Sequence, residues 1–102
     1  MATETALYID SSPRTFAEFD VNRSWHDVAV QVRRLDGAIY LGFTSDRRDA
    51  SMRFTFHGQD FCIREDSRRF SFAVENSNCP ERILWEVKSH FAALLSPSLA
   101  DQ

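Results

Sequence analysis

Successive short runs between residues 27 and 75 alternate apolar and polar side chains, and each run is bounded by a turn signal. Period-two alternation is the mark of strands with one buried face. Val28, Val30 and Val32 alternate with Ala29, Gln31 and Arg33. Asp36-Gly37 follows, and then Ile39, Leu41 and Phe43 alternate in turn. An Asp-Gly pair between two alternating runs is a strong hairpin signal. Ser24 could cap a helix ahead of Asp27, but β-branched residues at period two favour a strand. Met52, Phe54 and Phe56 precede Gly58-Gln59, whose leading glycine suits a type II′ turn. Phe61 and Ile63 precede Asp66-Ser67, and Phe70, Phe72 and Val74 complete the series. The expected strands are 27–35, 38–44, 51–57, 60–65 and 69–75. Their turns pair Leu35 with Ala38, Val32 with Leu41, Phe56 with Phe61, and Ile63 with Phe70. Phe43 opposite Met52 fits the longer loop SDRRDA. All of these pairings agree on which face is apolar, and a one-residue slip would destroy that agreement.

A helix is expected over 79–95. Asn78 serves as its cap, Glu81 completes a capping box, and Pro80 suits the first turn. Leu84, Val87, Phe91 and Leu94 form one stripe with Ile83 and Leu95 beside it. Ser96-Pro97 ends it. The expected fold is therefore α+β: an antiparallel meander of five or more strands curved around a C-terminal helix. It forms a single domain over 1–102, with 1–12 and 96–102 frayed. Residues 13–19 read as a short helix after a Ser-Pro start. TALYID and TFAEFDV offer an alternative as two further strands.

The segment RRFSFAVENSNCPERILWEVKSHF, with Trp85 on its helix, resembles the end of the pleckstrin-homology-like barrel in order and spacing. That resemblance implies seven strands closed into a barrel with a C-terminal helix, and it implies a fold more than a function.

The chemistry is narrowed mainly by what is missing. Glycine occurs only at 37, 42 and 58, so there is no phosphate loop or dinucleotide fingerprint. His26, His57 and His90 have no ligand spacing with each other or with Cys62 and Cys79. Cys79 stands at the helix start, but His90 is ~16 Å further along the axis at 1.5 Å per residue and cannot be its base. His57 and Asp60 flank a tight turn and read as a local charge-assisted pair. Glu65 and Asp66 read as solvated turn residues. No cofactor, metal or catalytic residue is expected, and the reading leans away from an enzyme.

Two surface features stand out. The cations are eleven arginines and a single lysine, Lys88. The register sets Arg53, Arg64 and Arg69 opposite one another on the outer sheet face, with Arg33 and Tyr40 in the neighbouring row. Like charges directly opposite repel, so such a row needs counter-charge: an anion, an acidic partner, or the chain's own acids, either Glu18 and Asp20 lying across it or Glu65 and Asp66 folding back. Trp85 lies off the helix stripe, at the core edge or on a partner surface.

The chain carries a net charge of −3 over 102 residues, which disfavours general nucleic-acid binding. The N-terminus lacks a basic region followed by an apolar one, and the longest apolar run, FAALL, cannot span a bilayer. A cytoplasmic location is the expectation. One helix covers only part of a five-stranded apolar face, so the expected role is a non-enzymatic interaction module. It would bind a protein partner or itself, with a dimer expected. Binding of an anion such as phosphate, or of nucleic acid, through the arginine row is the alternative, and a small enzyme using Cys79 or His57 is the third reading.

Overall fold

A computed structural model describes residues 13–46, 49–66 and 68–95. The elements in chain order are strand β1 (Arg14–Asp20), helix α1 (Trp25–Arg34), strands β2 (Ala38–Ser45), β3 (Ala50–Phe56), β4 (Gln59–Asp66) and β5 (Arg69–Val74), and helix α2 (Glu81–Leu95). The five strands form one open antiparallel sheet in the order β1-β5-β4-β3-β2. The α+β class, the antiparallel sheet and the C-terminal helix agree with the sequence reading, and the sheet is not closed into a barrel. TALYID, the two termini beyond 13–95, Arg47, Arg48, Ser67 and Ser96-Pro97 lie outside the described residues.

Residues 27–35 are helical, contrary to the strand expected there. The Ser24 side chain accepts a hydrogen bond from the Asp27 N–H at 3.2 Å. Asp27 in the first turn and Arg33 and Arg34 in the last complement the helix dipole. Val28, Gln31, Val32 and Leu35 are buried, and their spacing of i, i+3, i+4 and i+7 is a helical face. Val30, which completed the apparent alternation, is only half-buried. The Asp36-Gly37 turn does form: the Ala38 N–H donates to the Leu35 carbonyl at 2.9 Å. Only its second central residue has positive φ (Gly37, 95°), the type II pattern. That turn joins a helix to a strand instead of two strands.

The fifth strand is β1, where a short helix over 13–19 was expected. It pairs with β5 from Arg14↔Val74 to Asp20↔Arg69 and turns Ala17 and Phe19 into the core. Phe16 sits in a bulge, with its ring 5.8 Å from that of Phe61.

Both remaining hairpin registers differ from expectation by two residues. Phe56 pairs with Gln59 and Phe54 with Phe61, so the loop is His57-Gly58. Both loop residues have positive φ (52° and 74°), as a type I′ turn requires. Asp66 pairs with Arg69 and Ile63 with Phe72, with Arg68 at φ 67° just before β5. A shift of two keeps every side chain on its expected face, which is why the core residues of β3, β4 and β5 are as anticipated.

Strand β2 departs further. Phe43 does face Met52, but a bulge at Leu41 sets Tyr40 opposite Phe54 and Ala38 opposite Phe56. Ile39 and Leu41, expected in the core, are therefore turned out and are 61% and 53% exposed. Gly42, at φ 153°, supplies backbone freedom at the bulge.

The core fills the space between one sheet face and the two helices. α1 packs on β2, α2 on β1, and the helices touch each other. Ile83, Leu84, Val87, Phe91 and Leu95 of α2 are buried, and the Phe91 ring meets Phe72 at 4.8 Å and Phe54 at 5.9 Å. α2 starts later than expected, because the Pro80 carbonyl takes the first helical bonds, from Ile83 and Leu84. Asn78 lies in the preceding turn, where its N–H donates to Asn76 Oδ1 at 2.9 Å.

Candidate functional site

Arg53, Arg64 and Arg69 share the outer face but not one row. Arg53 lies opposite Cys62, Arg64 opposite Ser51 and Ser71, and Arg69 opposite Asp66 and Asp20. The two-residue register shift spreads the expected row into a diagonal. Arg69 also makes an ion pair with Glu18 at 3.2 Å, so the N-terminal strand supplies part of the counter-charge. Arg53 and Arg64 flank Cys62. Burial pushes the Cys62 thiol up, and the nearby Arg64 and Arg53 charges offset this only in part.

Arg33 and Tyr40 belong elsewhere. Arg33 projects from α1 with its guanidinium carbon 4.9 Å from the centroid of the Tyr40 ring. The pair closes the margin between α1 and the inner side of β2. It does not extend the outer arginine face.

The residues weighed for catalysis remain apart. Cys79 is buried, and burial is the largest influence raising its thiol pKa; Arg14 nearby works the other way. That is the reverse of an activated nucleophile. His57 occupies the β3–β4 turn with its ring against Phe56 at 4.3 Å, and Asp60 pairs with Thr55, so the expected His57–Asp60 pairing is absent. His90 and Gln31 tie the two helices together, with the His90 ring nitrogen Nε2 donating to the Gln31 carbonyl at 2.7 Å. Among the described residues no three His, Cys, Asp or Glu side chains come close enough to hold a metal ion. No described helix is long and apolar enough to cross a membrane.

Two surfaces remain. The first is the β2 edge. Ile39 and Leu41 project from it toward solvent on the outer face. Phe43, 41% exposed, lies at the inner margin against the Trp25 ring at 5.1 Å. No charged residue and no proline interrupts Ala38–Ser45. A strand edge is ordinarily guarded by such residues, and the opposite edge, β1, carries Arg14, Glu18 and Asp20. Gly42 inside an alternating run was the sequence signal for the bulge that exposes Ile39 and Leu41.

The second is a cleft of about 470 Å³ between β1 and the first half of α2. Trp85, 70% exposed, forms one wall, and Phe16 and Leu84 contribute apolar surface. Arg82 and Lys88 stand three residues to either side of Trp85, so all three share one helix face. Arg14 enters from β1 and pairs with Glu81 at 3.0 Å. Sequence reasoning singled out Trp85 but passed over Arg82 and Lys88, which helical spacing already set beside it; Arg14 was beyond its reach, because that residue arrives only when β1 lies beside α2. No family model, curated protein or solved structure matches this chain.

Proposed function

We propose that the chain is a non-enzymatic interaction module that self-associates through the edge of β2. The observation that carries this reading is the exposed pair Ile39 and Leu41 on an uncharged edge strand. The wide inner sheet face first suggested association, but α1 and α2 cover that face. On the sheet itself, the large apolar side chains left exposed lie on β2. Antiparallel pairing of two copies about Tyr40 sets Ile39 of one copy against Leu41 of the other on a shared face. Cross-strand apolar pairs and newly satisfied backbone groups then stabilise one extended sheet. Burying four half-exposed side chains offsets the entropy of association only modestly, which places dissociation at roughly micromolar concentrations.

Anion binding by Arg53, Arg64 and Arg69 is less well supported, because Glu18 engages Arg69 and the row is staggered. An enzymatic role for Cys79 is opposed by its burial and its raised thiol pKa.

Sedimentation equilibrium across the micromolar range tests the reading, with Leu41→Lys as the variant. Wild type should dimerise, and Leu41→Lys should be monomeric with an unchanged melting temperature. A wild type that stays monomeric at the highest soluble concentration, or a variant that dimerises equally well, would overturn it.

A further inference from the structure

We infer that the cleft between β1 and α2 is a second docking site, which takes an extended acidic peptide segment carrying an apolar side chain. The inference is independent of the β2 edge.

Three features converge on that occupant. β1 is hydrogen-bonded to β5 on one side only, and no described strand pairs with its other edge. An open edge offers backbone donors and acceptors at the spacing of another extended polypeptide. Beside this edge, Trp85 stands largely exposed next to the half-buried Phe16, an apolar seat for one side chain of the incoming strand, with the buried Leu84 beneath it. Around the seat are Arg14, Arg82 and Lys88 against one carboxylate, Glu81, which Arg14 already engages. Glu18 and Asp20 guard the far half of β1, outside the cleft lining, so an acidic strand has only the Arg14 end of this edge to pair with. The chain carries a net charge of −3, so this concentration of cations runs against the charge of the molecule. Local positive charge on an acidic protein selects a negative partner and orients its approach. A guanidinium can engage a carboxylate bidentately, because two parallel N–H groups match its two oxygens; the open strand edge beside it is what favours a polypeptide carrier of that charge.

A nucleic acid fits less well. Three cations give a short electrostatic footprint, and an open strand edge has no counterpart in a sugar-phosphate backbone. A second copy of this chain would have to bring an acidic extended segment of its own to the cleft.

The test is selection of a displayed random dodecapeptide library on the immobilised full chain. The enriched peptides are then measured against wild type, Trp85→Ala, and the double variant Arg82→Glu, Lys88→Glu. All three positions are exposed, so circular dichroism melts should be unchanged. The expected result is enrichment of peptides rich in Asp and Glu with an aromatic or aliphatic residue. Their affinity should fall about tenfold or more in each variant. Amide exchange should slow in residues 14–17 when peptide is bound.

Enrichment without acidic bias, affinity unmoved by both variants, or no enrichment would each overturn the inference. So would tighter binding of an oligothymidine than of any peptide, lost in the same variants. If the charge-reversal variant became monomeric in sedimentation, the occupant would be a second copy and a separate partner would be ruled out.

Discussion

Gln31 and His90 hold the two helices together by exchanging side-chain to backbone hydrogen bonds. The Gln31 Nε2 group donates to the His90 carbonyl at 2.9 Å, and the His90 Nε2–H donates to the Gln31 carbonyl at 2.7 Å. Gln31 is the buried polar residue of the α1 face, at 8% exposure, so its amide needs this partner. Replacing either residue by Ala should cost ~1–2 kcal/mol. The double variant should cost less than the sum of the two, because the first loss already loosens the contact that the second bond needs. Urea denaturation of the four proteins measures this. Strict additivity would show that the two bonds act independently.

The β3–β4 turn makes a separate prediction. His57 at φ 52° is a side-chain-bearing residue in left-handed geometry, a position that Asn tolerates better. His57→Asn should raise stability by ~0.5–1 kcal/mol, less any contribution from the contact with Phe56. Gly58→Ala, at φ 74° with open space around it, should lose ~1 kcal/mol through backbone strain alone. A melting series shows whether the two shifts have opposite signs.

The two tryptophans should be separable by fluorescence. Trp85 is exposed, whereas Trp25 lies against Phe70 at 4.9 Å and donates its indole N–H to Glu65 at 2.9 Å. Trp85→Phe should remove most of the iodide-quenchable, red-shifted emission. Trp25→Phe should remove the blue-shifted component and cost ~1–2 kcal/mol through the lost hydrogen bond and packing. Equal quenching of both residues would contradict this arrangement.

Both thiols sit above their ordinary value of 9.0, with burial as the main cause. The folded chain therefore holds these protons more tightly than the unfolded chain does. Their contribution to stability is complete below pH 9.0 and is lost as pH rises through the folded values. Replacing Cys62 and Cys79 by Ala should flatten the alkaline decline in denaturant midpoint relative to wild type. At neutral pH, Cys62 should react with a thiol reagent faster than the buried Cys79. The reverse order would contradict the burial described here.

Faces were easier to read from the sequence than registers. Phe54, Phe56, Phe61, Ile63, Phe70 and Phe72 point inward as their alternation implied, because a two-residue register error preserves parity. The arginine row failed on that same error: opposition across strands depends on which two residues make the turn, and His57 in left-handed geometry gave no warning in the sequence. Residues 27–35 failed because three valines at period two masked a helical face completed by a polar residue, Gln31. Burial of Gln31 becomes affordable only when His90 arrives from the far end of the chain, which local periodicity cannot register. Trp85 was correctly placed off the core stripe of α2. Arg82 and Lys88 beside it follow from helical spacing, whereas Arg14 comes from a strand that had been read as a helix.

The position of β1 beside β5 has a consequence for synthesis. Strands β2 to β5 are successive hairpins, and each can pair as soon as its second strand leaves the ribosome. β1, made first, has its only described strand partner in the last strand of the sheet, and α2, which packs on it, is made later still. The first strand must therefore wait unpaired while most of the chain is translated, with Phe16 and Phe19 uncovered. A chain interrupted before Arg69 would never make the strand that β1 pairs with, so the first described strand depends on the end of the sheet for its partner.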